Sequence, residues 1–375
     1  MVQLVEPVSP LADKRTRGPS SGIGICVSGG GYRAMLFHLG AFLRLYETGL
    51  LHKATRISSV SGGSITSAKV GLEWNRLKVR QDFMDHVVQP IRRVAGMTID
   101  IPAIAAGLIL PGRVSDYVAW AYRRLLFGEA TLQDIPGKPE FVINATNVET
   151  GTLWRFSRAV MADYKVGEIR QPKLSLASAV AASSAFPPFL SPYLLRVGPK
   201  DFSKISATDK ALLSDISLAD GGVYDNLGLE TVWKAYRNVL VSDAGAALQP
   251  DPSPPAAWAR QAKRDIDIIY GQVSSLRKRQ LIASYKAKEG ERGWRRGTYW
   301  GIGSDVSHYH LHDALPAPLN RTTELARIST RLARLSDELQ QRLINWGYAI
   351  CDTAVRKHFP QPDMPAPQFP YPGGV

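Results

Sequence analysis

The chain has only two cysteines among its 375 residues, Cys26 in an apolar run and Cys351 in a predicted late helix. So few cysteines exclude the disulfide framework of small secreted proteins and fit a reducing, cytoplasmic compartment. We interpret both as plain core residues. An apolar content of 45% is ample for a hydrophobic core, and that core is expected to stabilise the fold.

Long apolar runs are also missing. The longest, residues 97–110, is shorter than the ~18 residues that a spanning helix needs, and it contains Asp100 and Pro102. We interpret it as a buried connector between two helices, with a lid or a membrane-contacting loop as the alternatives. The polar leader, residues 1–21, lacks an apolar h-region, so it predicts disorder and no secretory signal.

Acidic residues are in short supply, with 33 Asp and Glu against 46 Lys and Arg, a net charge of +13. Such an excess favours an anionic partner, which is a nucleic acid, an acidic small molecule or an anionic membrane surface. The excess is local, because residues 260–296 hold eleven Lys or Arg against four Asp or Glu. Apolar residues at helical spacing predict a helix with one buried face in the first half of that segment.

Two short strands near the start of the chain are each followed by glycines and a helix. The strand over residues 23–27 runs into Ser28-Gly29-Gly30-Gly31, and the strand that ends at Val60 runs into Ser61-Gly62-Gly63. The carboxyl ends of parallel strands lie at one edge of a sheet, where ligands bind in such folds. Three consecutive glycines also expose N–H groups that form an anion-binding concavity.

Ser61 is the candidate nucleophile, because a serine between small residues at a strand-to-helix turn exposes its hydroxyl. The alternative is a Ser/Gly-rich turn without chemistry. A nucleophilic serine needs a base, and the sequence offers Asp220, which precedes two glycines, or a histidine after it. The late histidines are His308, His310, His312 and His358. His308, His310 and His312 alternate along the chain, so on a strand their side chains would share one face, as metal ligands can. No other cluster of Cys, His or acidic residues has the spacing of metal ligands, so we expect these three histidines to be loop residues and expect no metal.

The remaining patterns predict an α/β fold, a central and mostly parallel sheet with helices on both faces and C-terminal helices packed on it. Residues 22–358 are expected to form one domain, with residues 196–218 as a surface loop and residues 359–375 as a proline-rich, extended or disordered tail. The predicted helices cover residues 34–46, 64–74, 78–90, 114–127, 174–185, 229–236 and 323–357, and the later strands residues 141–146, 153–156, 239–242 and 298–302.

Four sequence blocks resemble patatin-like phospholipases in order and spacing. The blocks are Ser28-Gly29-Gly30-Gly31-Tyr32-Arg33-Ala34, Ser59-Val60-Ser61-Gly62-Gly63, Ala179-Val180-Ala181-Ala182-Ser183-Ser184-Ala185-Phe186-Pro187-Pro188-Phe189 and Asp220-Gly221-Gly222. The first two are also similar to eukaryotic cytosolic phospholipases A. The resemblance runs from about Gly22 to Ile302. Ser59 is a departure, since the family's serine motif usually begins with glycine.

The resemblance implies a patatin-like fold and a Ser-Asp dyad, in which Ser61 is the nucleophile and Asp220 the base, with no metal and no cofactor. For Asp220 the alternative is a turn aspartate that caps the next helix. Arg33 is expected to bind the lipid phosphate, with an ordinary salt bridge near a helix start as its alternative. The expected oxyanion-hole donors are Gly29, Gly30, Gly31 and Gly62.

These expectations define a serine acyl hydrolase that acts on phospholipids or other acyl esters. Peripheral contact with an anionic membrane is expected through residues 260–296 or 97–110, and a nucleic acid partner is not expected. The alternative is a catalytically silent protein on the same scaffold that binds membrane or nucleic acid. His38, among apolar neighbours in the first helix, is expected to be a core histidine.

Overall fold

A computed structural model of the chain describes residues 19–109, 114–245, 248, 250–254, 256–291 and 293–375. Within this part, eleven strands form one mixed sheet. The strands are β1 (Ser20–Val27), β2 (Ala54–Val60), β3 (Glu140–Asn147), β4 (Thr152–Phe156), β5 (Val160–Asp163), β6 (Gly167–Arg170), β7 (Tyr193–Leu195), β8 (Lys204–Ile205), β9 (Ile216–Asp220), β10 (Tyr236–Asp243) and β11 (Arg296–Gly301).

Helices surround the sheet. They are α1 (Gly31–Glu47), α2 (Leu50–Lys53), α3 (Gly62–Glu73), α4 (Arg80–Phe83), α5 (Gln89–Ala95), α6 (Asp100–Ile109), α7 (Val114–Tyr122), α8 (Leu176–Ser183), α9 (Gly222–Asp225), α10 (Glu230–Trp233), α11 (Trp258–Lys286), α12 (Leu319–Ala326) and α13 (Asp337–His358). A π-helical turn joins α4 to α5, and another follows α7. None of the described helices combines the length and apolar character that crossing a bilayer requires.

The sheet has a parallel and an antiparallel half. Strands β11, β10, β1, β2 and β3 are parallel neighbours in that order, and β4, β5, β6 and β8 continue from β3 in antiparallel pairing. Both faces of the parallel half are buried, because Ile25 and Val27 join the core under α1 and α13 while Cys26 joins a second cluster with Val232 and Leu281. The predicted α/β class is therefore confirmed.

Four segments depart from the sequence-based expectations. Ser20 and Ser21 of the predicted leader belong to β1, which pairs with β10 from Ser20 onward, and residues 1–18 lie outside the described residues. The predicted loop at residues 196–218 contains the start of β9, and the helix predicted at residues 229–236 is reduced to α10. The helix predicted at residues 323–357 is two helices, α12 and α13, separated by an irregular segment.

The sequence predicts that the proline-rich tail is extended or disordered. In the structure the tail is extended and is held in place by hydrogen bonds. The side-chain amide of Asn345 donates to the carbonyls of Tyr371 and Gly374 at 2.8 and 2.7 Å. Arg44 Nη2 donates to the carbonyl of Pro365 at 2.6 Å. The tail is therefore held on α1 and α13 by side chains of the core helices.

Helix α11 contradicts the prediction of a buried face. The prediction rested on five apolar residues at helical spacing: Ile266, Ile269, Val273, Leu276 and Leu281. Of these, Leu281 alone is buried, while Ile269 and Leu276 are 63% and 57% exposed. The segment at residues 97–110 is also only partly buried: Asp100 is buried and Ile101 is 56% exposed, while Leu110 lies outside the described residues. Both segments lie at the carboxyl edge of the parallel strands, where they cover the candidate site.

Candidate active site

Ser61 lies at the turn between β2 and α3, with φ 50° and ψ −121°. This conformation is strained for a residue with a side chain and costs about 1–3 kcal/mol. Surrounding contacts hold it, since the Ser61 N–H donates to Ser183 Oγ at 2.9 Å. A Cβ on Gly62 would lie 2.1 Å from the carbonyl oxygen of Gly31, so only glycine allows the two loops to approach this closely.

Ser59, the departure from the family pattern, leaves the turn intact. Its side chain is fully buried and donates to the carbonyl oxygen of Val142 at 3.2 Å. It also accepts a hydrogen bond from Ser64 Oγ at 3.1 Å. A serine at this position is therefore accommodated by hydrogen bonds to the neighbouring strand and to the following helix.

Asp220 reaches Ser61 because two strands share one side of β3. Strand β2 pairs with β3 in parallel up to Val60, opposite Asn144. Strand β9 pairs with β3 in the antiparallel sense from the next residue, so that Asp220 is opposite Ala145. The two strands therefore point their carboxyl ends at each other and bring Ser61 and Asp220 together.

The Asp220 carboxyl is buried and has few polar neighbours. Burial raises its pKa to about 6, while the Gly222 N–H, 2.8 Å from Oδ1, and the nearby Ser61 hydroxyl act in the opposite direction. A carboxyl group with this pKa is an effective proton acceptor near neutral pH. Gly222 is the first residue of the short helix α9, whose N-cap residue is Gly221, so Asp220 accepts a hydrogen bond from the start of that helix without being its cap residue.

The glycine loop between β1 and α1 faces Ser61, but its three amides differ. The Gly29 N–H donates to the main-chain oxygen of Asn226 at 3.1 Å and to Asn226 Oδ1 at 3.2 Å. Those of Gly30, Gly31 and Gly62 have no acceptor within the described residues. The Gly29 N–H is therefore engaged by Asn226, unlike the N–H groups of the other predicted oxyanion donors.

A cavity of about 640 Å³ opens beside Ser61 and Asp220. Each of the three cations among the described lining residues pairs with a carboxylate: Arg331 with Asp100 at 2.8 Å, Lys263 with Asp267 at 2.6 Å, and Lys278 with Asp243 at 2.5 Å. Several of the described lining residues are apolar: Ile104, Phe186, Phe189, Leu190, Leu248 and Leu332.

The comparison with family models matches residues 25–233 to the patatin-like phospholipase family. The match includes the strand-to-helix turn at Ser61 and the strand end at Asp220. The chain belongs to the patatin-like phospholipase family. A comparison with curated proteins gives no match.

Solved structures share the patatin-like fold. Human GIVD cytosolic phospholipase A2 has a TM-score of 0.55 at 14% identity, over 89% of this chain and 58% of that chain. The human enzyme in complex with methyl gamma-linolenyl fluorophosphonate has a TM-score of 0.51 at 16% identity, over 89% of this chain and 57% of that chain. This chain thus spans a little under three fifths of the human protein's length, and the likeness shows the fold.

Arg33 does not lie where the phosphate prediction requires. Its guanidinium is buried behind the glycine loop and donates to the carbonyls of Ala244, Ala326 and Ile328 at 2.6, 3.0 and 2.6 Å. It is not among the described residues that line the cavity. The prediction is therefore corrected: Arg33 ties together the two chain segments that flank the patatin-like site.

The histidines lie away from the cavity, whose described lining contains none. His38 is a core histidine, as predicted, because Nδ1 lies 2.8 Å from Ser242 Oγ and Nε2 lies 2.9 Å from the Ser28 carbonyl. Burial lowers its pKa to about 4, so it is neutral at physiological pH. The side chain of His308 is 81% exposed. The described residues contain no group of three or more His, Cys, Asp or Glu placed to hold a metal ion.

Sequence reasoning missed three contributions to this patatin-like site. Ser183 supports the turn at Ser61, Asn226 holds the glycine loop, and Tyr270 of α11 contacts Asn226. Ser183 lies within the third of the four family blocks, and Asn226 lies six residues after Asp220, so the sequence carries a signal for both. Tyr270 lies outside the matched residues 25–233, and its role follows only from the position of α11.

Proposed function

We propose that this patatin-like chain is a serine acyl hydrolase that cleaves fatty acyl esters of phospholipids or related lipids. Ser61 forms the acyl-enzyme and Asp220 is the base. The observation that carries the proposal is the meeting of β2 and β9 on β3, which brings a strained serine and a carboxyl with a raised pKa to the wall of a partly apolar cavity.

The first half-reaction forms the acyl-enzyme. Ser61 Oγ attacks the ester carbonyl carbon as its proton moves to the Asp220 carboxylate, and negative charge develops on the carbonyl oxygen. The N–H groups of Gly30, Gly31 and Gly62 stabilise that charge, since these amides have no acceptor within the described chain. One such donor contributes about 3–4 kcal/mol in the transition state. The ester C–O bond then breaks, and Asp220 protonates the leaving alcohol.

The second half-reaction releases the fatty acid. Asp220, ionised again, takes a proton from water, and the resulting hydroxide attacks the acyl carbon. The bond to Ser61 Oγ breaks, and the proton on Asp220 returns to Ser61. The apolar lining residues, which include Phe186 and Leu332, suit an acyl chain because burying each CH₂ group contributes about 0.8 kcal/mol.

A fluorophosphonate probe tests the nucleophile, because it forms a covalent bond only with an activated serine. We expect labelling of the wild type at Ser61 and none of Ser61→Ala. Ser67→Ala is the matched control: Ser67 is buried in α3, the helix that follows Ser61, and its hydroxyl has no hydrogen-bond partner within the described residues. No labelling of the wild type would overturn the proposal in favour of a catalytically silent protein, and equal labelling of the wild type and Ser61→Ala would assign the nucleophile to another serine. Fatty acids and lysolipids released from a mixed lipid extract identify the substrate.

Peripheral membrane contact is the second part of the proposal, and the outer face of α11 supports it. Ile269 and Leu276 are exposed on this face, and Arg279 and Lys286 are exposed on the same helix. Exposed apolar side chains beside basic ones are typical of helices that lie on an anionic lipid surface. The inner face of α11 lines the cavity. Contact of the outer face with the lipid therefore holds the cavity close to the membrane surface.

Two basic residues of α11 do not belong to this surface. Arg277 pairs with Asp225 at 3.5 Å and with Glu230 at 3.1 Å. Lys278 pairs with Asp243 at 2.5 Å. Both residues attach the helix to the sheet, so a test of membrane binding requires Arg279 and Lys286 instead.

A further inference from the structure

Asn226 accepts hydrogen bonds from two separate parts of the site. Its Oδ1 atom accepts the Gly29 N–H at 3.2 Å and the Tyr270 hydroxyl at 3.1 Å, and its main-chain oxygen accepts the same Gly29 N–H at 3.1 Å. The side chain is 8% exposed and lines the cavity. Because two donors meet at Oδ1, they define the orientation of the amide group.

The Gly29 end of this arrangement determines the gap between the glycine loop and the nucleophile. A Cβ on Gly29 would lie 2.5 Å from Asn226 Oδ1 and 3.1 Å from Ser61 Cβ. Gly29 is therefore enclosed between Asn226 on one side and Ser61 on the other. A displacement of the Asn226 amide would shift Gly29, and with it the N–H groups of Gly30 and Gly31 that follow in the chain.

The Tyr270 end connects the same amide to α11. The Tyr270 hydroxyl lies against Gly222, where a Cβ would be 1.6 Å from it, and the ring packs edge-on against Phe186 with centroids 6.2 Å apart. Helix α11 thus contacts the segment that follows Asp220 and, through Asn226, the glycine loop. These contacts join a largely exposed helix to the buried catalytic pair.

We propose that Asn226 is a positioning residue for acyl transfer, which holds the glycine loop at the distance from Ser61 that the oxyanion requires, and that the Tyr270 hydroxyl fixes its amide. This inference rests on the proposed hydrolase function. Neither residue exchanges a proton with the substrate. Their effect is on the placement of the Gly30 and Gly31 donors, and such donors act mainly in the transition state.

The test compares Tyr270→Phe, Asn226→Ala and the double variant in hydrolysis of a water-soluble ester. We expect kcat to fall about tenfold or more in Asn226→Ala and severalfold in Tyr270→Phe, with little change in KM. The midpoint of the pH profile stays at the wild-type value, because Asp220 is untouched. The double variant matches Asn226→Ala, since Tyr270 acts through Asn226.

Tyr285→Phe is the matched control on the same helix. The Tyr285 hydroxyl donates to the carbonyl of Val239 at 2.7 Å, and Tyr285 is not among the described residues that line the cavity. Removal of this hydroxyl is therefore expected to leave kcat unchanged. A wild-type kcat in Tyr270→Phe, or additive losses of kcat in the double variant, would overturn the inference about Asn226 and Tyr270. In that case an inactive Ser61→Ala variant would still support the hydrolase function. Full activity in Ser61→Ala would overturn both. Tyr270→Phe keeps the test decisive if Asn226→Ala does not fold.

Discussion

The parallel half of the sheet and the layer that covers its carboxyl edge are built differently. In the parallel half, α1 is buried from Gly31 to Leu45, and the proposed catalytic pair lies at strand ends whose register is determined on both sides. The covering layer consists of α6, α11 and residues 327–336, and it exposes Ile101, Ile269 and Leu276. The proposed chemistry, which depends on sub-ångström placement, is thus located where main-chain pairing fixes the atoms.

The same contrast holds for polar side chains. Arg33 in the parallel half is fully enclosed and donates to three carbonyls. Arg331 in the covering layer pairs with Asp100 but has a half-exposed side chain, and exposed ion pairs contribute little to stability. The covering layer is therefore expected to tolerate substitutions that the parallel half does not.

The largest expected effect is loss of activity on removing either catalytic group. Ser61→Ala and Asp220→Asn are each expected to lower kcat for a nitrophenyl ester by about 10⁴-fold, and the double variant no further, because the two groups act as one unit. Circular dichroism should show an unchanged fold. The control replaces His308, His310 and His312 together. If that triple variant were as inactive as Ser61→Ala, a triad with a histidine base would replace the dyad.

Arg33→Ala measures the contrast in stability directly. It leaves three carbonyls without their donor, and we expect a loss of about 3–5 kcal/mol in the free energy of unfolding. Turnover of a phospholipid and of a neutral ester should fall together. Arg331→Ala is the matched change in the covering layer and should cost less than about 1 kcal/mol. A selective loss of phospholipid turnover in a stable Arg33→Ala protein would restore the phosphate-binding role.

Asp220 links activity and stability to pH with opposite signs. Its folded pKa of about 6 is above the ordinary value of 3.8. Its stabilising contribution is therefore complete below pH 3.8 and is lost as the pH rises through 6, whereas the base becomes active over that range. We expect kcat/KM to rise with a midpoint near pH 6. At pH 8, Asp220→Asn should be more stable than the wild type by about 3 kcal/mol, or about 4 °C in Tm. Thermal unfolding at pH 4 and 8 checks this.

How far the sequence predicts the molecule follows the same division. Local signals were sufficient for β1, α1, β2 and α3, because apolar runs and glycine loops determine these elements within a few residues. Asp220 was identified from the family resemblance, yet its strand β9 was missed, since five residues of β9 pair only with distant strands. The break between α12 and α13 was missed because helical apolar spacing continues through Ile328, Leu332 and Leu335.

Helix α11 shows why the covering layer is harder to predict. Its apolar residues have helical spacing, which is normally explained by burial, and here Ile269 and Leu276 remain exposed. Arg33 shows the reverse, because a charged residue beside a glycine loop suggested a ligand, whereas three main-chain carbonyls surround it. For Arg33 the decisive contacts come from residues more than 200 positions away in the sequence, which local patterns do not reveal.

The smallest expected effect concerns vesicle binding by the outer face of α11. Each basic residue near an anionic surface contributes about 1 kcal/mol, so Arg279→Gln/Lys286→Gln should weaken binding to anionic vesicles by up to about thirtyfold. Hydrolysis of a water-soluble ester should not change. Lys200→Gln/Lys204→Gln removes the same charge from exposed positions outside α11 and should leave binding nearly intact. Co-sedimentation at low and high salt measures both.

Salt dependence then separates the two contributions of this face. The charge contribution weakens as the Debye length falls from about 10 Å at 0.1 M salt to about 3 Å at 1 M, whereas burial of Ile269 and Leu276 in the lipid does not. Ile269→Ser/Leu276→Ser should therefore reduce the binding that remains at high salt, and Arg279→Gln/Lys286→Gln the binding at low salt. Equal retention of the charge variant and the wild type at low salt would exclude α11 as the electrostatic contact and shift attention to α6, where Ile101 is exposed beside the cavity.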